Sequence, residues 1–138
     1  MEFYHMPLFN KLLVRDIGKV EKWYHHTLGF RSVFKFLNET NEVVMNHLRL
    51  EKYQDIMLIQ SDDFISGNSC YINILVDDTE KLADSISEKY VLQPLKQMPW
   101  NAIEMTIEDP NSYQITLTES NISDEDFEKL MNSISKKY

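Results

Sequence analysis

One cysteine, three glycines and four prolines in 138 residues set the first limits. With Cys70 alone there is no intrachain disulfide, and no zinc site can be built from several thiolates. Lying in an apolar stretch, the thiol reads as a small core side chain rather than a nucleophile. Gly18, Gly29 and Gly67 are too few and too scattered for a dinucleotide fingerprint or a phosphate loop. No Ser or Cys stands in a nucleophile-elbow pattern. Unbroken apolar runs are only a few residues long, so no segment reads as a transmembrane helix. The N-terminus lacks the basic-then-apolar layout of a signal peptide. Together with the lone thiol this predicts a cytoplasmic protein.

Positive charge is also short. Lys and Arg number 14 against 22 Asp and Glu, a net charge of −8. A general nucleic-acid binder needs a positive field to displace phosphate counterions, and an anionic membrane surface needs the same sign. Both are excluded as partners. Cationic or neutral small molecules are the ligands this field does not oppose, and the charge also serves solubility by itself. What the chain does have is apolar material, 43% hydrophobic and 12% aromatic. That suffices for the core of one domain and is too much for a disordered chain.

Periodicity and punctuation place the elements. Leu8–Val14 reads as a strand. Asp16 is an N-cap for a helix over Ile17–Leu28, whose Ile17, Val20, Tyr24 and Leu28 form one stripe with Trp23 beside it, and Gly29 closes it. Strands follow over Phe30–Leu37, Val43–Leu50 and Asp55–Gln60. After a polar stretch, Ser61–Asn68, the order begins again. A strand over Cys70–Val76 leads to Asp78 as N-cap and a helix over Thr79–Tyr90. Strands then run over Leu92–Met98, Ala102–Glu108 and Tyr113–Thr118, with Asp109-Pro110-Asn111-Ser112 as a turn. The halves match as a repeat of pattern at an offset of 62, pairing Phe9 with Tyr71, Val14 with Val76 and Asp16 with Asp78. Ser123–Tyr138 reads as a further helix, capped by Ser123, acidic in its first turn and basic at Lys136 and Lys137. Its stripe of Phe127, Leu130, Met131 and Ile134 would pack on the domain or on a partner subunit.

The segments Leu12-Leu13-Val14-Arg15-Asp16-Ile17, Trp23-Tyr24 and Leu28-Gly29-Phe30 resemble the opening of the vicinal oxygen chelate superfamily. Ile74-Leu75-Val76-Asp77-Asp78 and Glu108-Asp109-Pro110-Asn111 before Tyr113-Gln114-Ile115-Thr116-Leu117 resemble its second half, with Asn111 and Ser112 in place of the usual Asp and Gly. The resemblance covers residues 7–119. It implies an α+β fold, paired βαβββ modules forming a cup-shaped sheet, to which the sequence adds a C-terminal helix. The expected organisation is one domain over 1–119, with modules 7–60 and 70–119 and a linker 61–69, then the helix in 120–138.

Enzymes of this superfamily, which includes glyoxalase, bleomycin-resistance and extradiol dioxygenase types, hold a divalent metal through His, Glu or Gln on four strands. The corresponding places here fall at Phe9, Met57, Tyr71 and Thr116. None is a first-choice ligand for a hard or borderline cation, and a register shift of one residue does not help. The resemblance is therefore to a metal-free member, with no cofactor. His25 and His26 point about 100° apart on the first helix and do not share an ion easily. Their place near the helix C-terminus suits a dipole role.

Strand alternation then lists a cup lining of Phe9, Lys11, Leu13, Tyr71, Asn73, Leu75, Met57, Ile59, Thr116 and Thr118. Phe9, Met57 and Tyr71 supply shape; Lys11, Asn73 and Thr116 supply orientation. Trp100 is placed to close the mouth. His47 has the parity of Arg49 and suits a general acid or base if its face lines the cup; Glu104 is a candidate for a cationic ligand. The leading expectation is a homodimeric binding protein for a small aromatic or cationic organic molecule. The alternative is a lyase, isomerase or dioxygenase of the same superfamily with a non-standard site. A third reading is an interaction module whose C-terminal helix mediates assembly.

Overall fold

The computed structural model describes residues 3–136. Lys137 therefore lies outside the described residues. The first module runs β1 (Asn10–Val14), α1 (Ile17–Leu28), β2 (Arg31–Leu37), β3 (Val43–Arg49) and β4 (Asp55–Gln60). The second runs β5 (Tyr71–Leu75), α2 (Thr79–Ser85), a 3-10 turn (Glu88–Tyr90), β6 (Val91–Met98), β7 (Ala102–Glu108) and β8 (Gln114–Ser120); α3 (Asp124–Ser135) follows. Each module is a four-stranded sheet, ordered β1-β4-β3-β2 and β5-β8-β7-β6. In each, the first strand runs parallel to the last and the other pairs are antiparallel. This is the α+β fold of two βαβββ units that the sequence predicts.

Local chemistry accounts for the helix limits. Asp16 Oδ1 accepts from the Lys19 N–H at 3.1 Å, and Asp78 Oδ1 accepts from the Lys81 N–H at 3.0 Å. Gly29 adopts φ 88°, which turns the chain so that the Phe30 N–H returns to the Tyr24 carbonyl at 3.2 Å. Ile17, Val20, Tyr24 and Leu28 form the buried stripe of α1.

Four expectations need correction. The second helix stops at Ser85, not Tyr90. Ser85 turns its hydroxyl back to the Leu82 carbonyl at 2.9 Å, and β-branched Ile86 leaves the helix in an extended conformation to bury its side chain. The first strand starts at Asn10, not Leu8, because its ladder begins with the Asn10–Ile56 pair and Pro7 offers no N–H. Leu8 is consequently exposed rather than packed under a helix. Cys70 is exposed just before β5, not part of the core.

The linker is pinned between the β1–α1 loop of the first module and the turn before β8 of the second. The Arg15 guanidinium lies over the Phe64 ring, and that ring stacks on Tyr113.

A single core joins the modules. Leu12, Val14, Leu48 and Leu58 from the first sheet and Ile74, Ile107, Ile115 and Leu117 from the second belong to one cluster with the α1 stripe. Burial of each such side chain contributes about 1.5–3 kcal/mol. Trp23 of α1 meets Tyr90 edge-on with ring centroids 5.3 Å apart. The Tyr113 hydroxyl donates to the Leu13 carbonyl at 2.8 Å, and the Gln54 amide donates to the Leu75 carbonyl at 2.9 Å.

Residues of opposite parity face away from this core. Phe34 and Phe36 are each 51% exposed on the first sheet, and Tyr71 and Leu75 are 57% and 61% exposed on the second. The α3 helix is capped by Ser123, whose hydroxyl accepts from the Asp126 N–H. None of its residues is buried in the single chain. No helix among the described residues is long and apolar enough to cross a membrane.

Candidate functional site

Cross-strand register builds the open face of the first sheet. Lys11 pairs with Met57, Met57 with His47 and His47 with Phe34, so one ladder crosses all four strands. A second ladder is Leu13, Ile59, Met45 and Phe36. On the other side of His47 lie Asp55, Arg49 and Arg31. The face is apolar at one end and cationic at the other.

Asp55 organises the charged end. Its Oδ1 is 2.7 Å from His47 Nε2 and accepts from Arg49 Nε at 2.7 Å. Its Oδ2 accepts from the Tyr4 hydroxyl at 2.6 Å, and that hydroxyl accepts from the Tyr53 N–H at 2.6 Å. The Tyr4 ring lies under the Arg49 guanidinium, 4.0 Å from centroid to carbon. Burial pushes the Asp55 carboxyl up, but the bonds from Tyr4, His47 and Arg49 outweigh it and hold the group below its ordinary value. Asp55 and Tyr4 are functional candidates that the sequence reading missed. The signal for Asp55 was present, since the short turn between β3 and β4 places it opposite Arg49. No pattern in the sequence points to Tyr4.

The open face of the second sheet is more polar. Tyr71 pairs with Gln114, Asn73 with Thr116 and Leu75 with Thr118. Thr116 continues to Thr106 and Thr118 to Glu104. The Thr106 and Thr116 hydroxyls are 2.9 Å apart, and the Asn73 amide donates to the Thr118 hydroxyl at 2.9 Å. Trp100, half-exposed in the β6–β7 turn, donates its indole N–H to Glu104 Oε2 at 2.9 Å.

The sequence-identified residues therefore fall in three places. Lys11, Met57 and His47 share the first face; Tyr71, Asn73, Thr116 and Trp100 share the second. Phe9 is on neither. It precedes β1 and lines a cavity of about 160 Å³ at the seam, with Phe30, Tyr53, Ile72 and Ile74. The two faces do not meet within the chain, because the shared core lies on their opposite sides. A larger groove of about 630 Å³ lies between the end of α1 and α2, away from both faces' central ladders.

The donors present do not fit the divalent metal that the superfamily implies. Phe9, Met57, Tyr71 and Thr116 offer no imidazole or carboxylate. His47 and Asp55 bond to each other, and no group of three or more metal-ligating side chains occurs among the described residues.

Comparison with solved structures fits this architecture. The fosfomycin resistance protein FosX of Listeria monocytogenes aligns with a TM-score of 0.68 at 11% identity, over 87% of this chain and 95% of that one. A member of the glyoxalase/bleomycin resistance protein/dioxygenase superfamily from Sphaerobacter thermophilus aligns at 0.65 and 23% identity, over 87% and 98%. TioX of Micromonospora aligns at 0.65 and 15% identity, over 84% and 97%. No protein-family model matches the chain, and no curated protein matches it in sequence. The chain has the βαβββ fold of the glyoxalase/bleomycin resistance protein/dioxygenase superfamily, that is, the vicinal oxygen chelate fold.

Proposed function

We propose that the protein binds a small aromatic molecule in a metal-free cup formed between two copies of the chain. The observation that carries this reading is the outward direction of the two faces. Each bears half of a lining, and Phe34 and Phe36 on the first face and Tyr71 and Leu75 on the second are half-exposed or more in the single chain, beside the buried Met57, His47 and Thr116. A cup then requires the first face of one protomer opposite the second face of its partner. The two surfaces complement each other: Lys11 and Arg31 lie on one, Glu104 and Glu108 on the other. Phe34, Phe36 and Met57 supply the apolar floor, and Asn73, Thr116 and Thr118 supply hydrogen bonds from the opposite wall. A cationic group on the ligand would sit toward Glu104, beneath Trp100. The cytoplasm suits the exposed thiol of Cys70.

Native mass spectrometry of purified protein tests the reading. A dimer carrying an organic adduct, with metal well below one atom per chain by elemental analysis, is the expected result. A monomer that binds nothing from an aromatic fragment set, or a dimer with one tightly held metal per chain, overturns it.

A further inference from the structure

We infer that His47 is a proton acceptor on the open face of the first sheet, fixed in one tautomer by Asp55, and that the site takes a weakly acidic aromatic molecule of the phenol class. The inference rests on the reading of that face as one wall of the cup.

The tautomer follows from the hydrogen bonds. Asp55 is fully buried and accepts from Tyr4 and Arg49, so it is held as a carboxylate, which accepts only. The His47 Nε2 at 2.7 Å must therefore carry the hydrogen. In the neutral imidazole this leaves the lone pair on Nδ1, which among the described residues has no hydrogen-bond partner. The side chain keeps 11% of its surface open. Tyr4 and Arg49 lock the carboxylate, so the imidazole is oriented by a rigid support.

The surroundings select the substrate. His47 lies between Phe34 and Met57 on its ladder, and Phe34 meets Phe36 edge-on with centroids 4.6 Å apart. An aromatic ring laid over Met57 would lie between Lys11 and His47, with Phe34 and Phe36 forming the apolar edge beyond His47. The charged groups around His47 come from every neighbouring element: Lys11 on β1, Arg31 on β2, Arg49 on β3, Asp55 on β4 and the Tyr4 hydroxyl from the N-terminal segment. Glu51 and Lys52 lie in the turn beside Arg31 and Arg49, so the cations outnumber the two carboxylates, which favours an anion over the face. Lys11 is exposed and has no ion-pair partner among the described residues. It stands two strands from His47, about 10 Å at the usual strand spacing, the span of one ring with its substituents.

The step is a plain proton transfer. The phenol O–H bond breaks, its proton moves to Nδ1, and the electron pair remains on oxygen. The imidazolium formed is paired with Asp55 on one side and the phenolate oxygen on the other, and Lys11 faces the far end of the ring, where the delocalised charge of the phenolate reaches. Nothing is oxidised or reduced.

The probe is 4-nitrophenol, whose ionised form absorbs in the visible and whose neutral form does not. It is titrated to saturation in buffer below its own pKa, so that affinity drops out and only the ionised fraction of bound probe is read. The wild-type protein should raise that fraction severalfold over free probe. His47→Gln should abolish the rise, and Lys11→Met should reduce it, with folding checked by circular dichroism. Nitrogen NMR on the ligand-free protein should show the Nε2–H tautomer, changed in Asp55→Asn. Neutral bound probe, a rise that survives His47→Gln, or an Nδ1–H tautomer overturns the proton acceptor while leaving the cup reading in place. No saturable binding overturns the phenol assignment, and an aromatic adduct found by native mass spectrometry would still support the cup.

Discussion

The Tyr24 hydroxyl donates to Asp109 Oδ2 at 2.7 Å, with both residues fully buried, and so ties the first module's helix to the end of β7 in the second. Asp109 Oδ1 meanwhile accepts from the Asn111 and Tyr113 N–H groups at 2.8 and 3.0 Å. One carboxylate thus shapes the turn before β8 and holds the module interface. This gives the Asp-Pro-Asn turn a packing role distinct from either open face.

Tyr24→Phe should destabilise the protein by about 1–3 kcal/mol, the cost of leaving a buried polar group short of a partner. The loss should depend on pH. Burial raises the Asp109 carboxyl above its ordinary value, and the bonds from Tyr24, Tyr113 and Asn111 only partly offset it. A raised acid favours the fold below its unfolded value of 3.8 and loses that contribution as pH rises through the folded value. Removing the Tyr24 hydroxyl raises the carboxyl further. Urea melts should therefore show a larger deficit at neutral pH than near pH 4; a deficit independent of pH would contradict the assignment.

Asp55 should behave with the opposite sign. Its carboxyl is held below the ordinary 3.8, so its stabilisation is full above that value and disappears as pH falls through the lowered one. Asp55→Asn should cost about 2–3 kcal/mol at neutral pH, because Arg49 loses a buried anionic partner. Below pH 3.8 the variant and the wild type should converge in thermal melts. A gap that stays constant into acid would mean that the carboxylate charge contributes nothing.

Each of these elements was legible to a different degree. The limits of α1 follow from Asp16 and Gly29, whose chemistry is local and independent of tertiary context. Strand parity was legible because alternation has a period of two, so Ile74 under the helix layer and Tyr71 on the opposite face of the sheet could be read directly. The end of α2 was not, since Leu82, Ala83, Ile86 and Tyr90 continue a helical stripe while Ile86 reaches the core from an extended residue instead. Tyr4 was illegible because it lies outside the repeat and reaches Asp55 from 51 positions away. The repeat likewise describes each module but not which sides of the two modules meet; that is decided by Tyr24, Trp23 and Tyr113.

Parity gives a paired test. Ile74 is 6% exposed and Tyr71 57%. Ile74→Ala should cost about 2–5 kcal/mol through the cavity it leaves, whereas Tyr71→Ala should change the stability of the isolated protomer by less than about 0.5 kcal/mol. Tyr71→Ala should instead weaken binding of an aromatic ligand by about 1–3 kcal/mol. If Tyr71→Ala destabilises the ligand-free protein more than Ile74→Ala and leaves binding unchanged, the face assignment is wrong.

The same outward faces predict assembly. Phe34, Phe36, Tyr71 and Leu75 are half-exposed or more in the single chain, and two large aromatics side by side on one sheet face are costly to leave in water. Pairing the first face with a partner's second face covers them twice over in a closed two-fold dimer. Phe36→Glu places a charge on the face proposed to pair but outside the shared core, so the protomer should keep its melting behaviour under dilute conditions. It should nevertheless shift the dimer toward monomer by about tenfold or more in dissociation constant, the scale of 1.4 kcal/mol. Analytical ultracentrifugation of wild type and variant reads this directly. Glu104→Lys should weaken the same dimer, because the proposed pairing sets the face of Glu104 against that of Lys11. The control is Phe127→Glu on α3, whose exposed stripe lies outside both faces and should leave this association constant unchanged. If the α3 variant dissociates the dimer and Phe36→Glu does not, assembly runs through the C-terminal helix and the cup stays open.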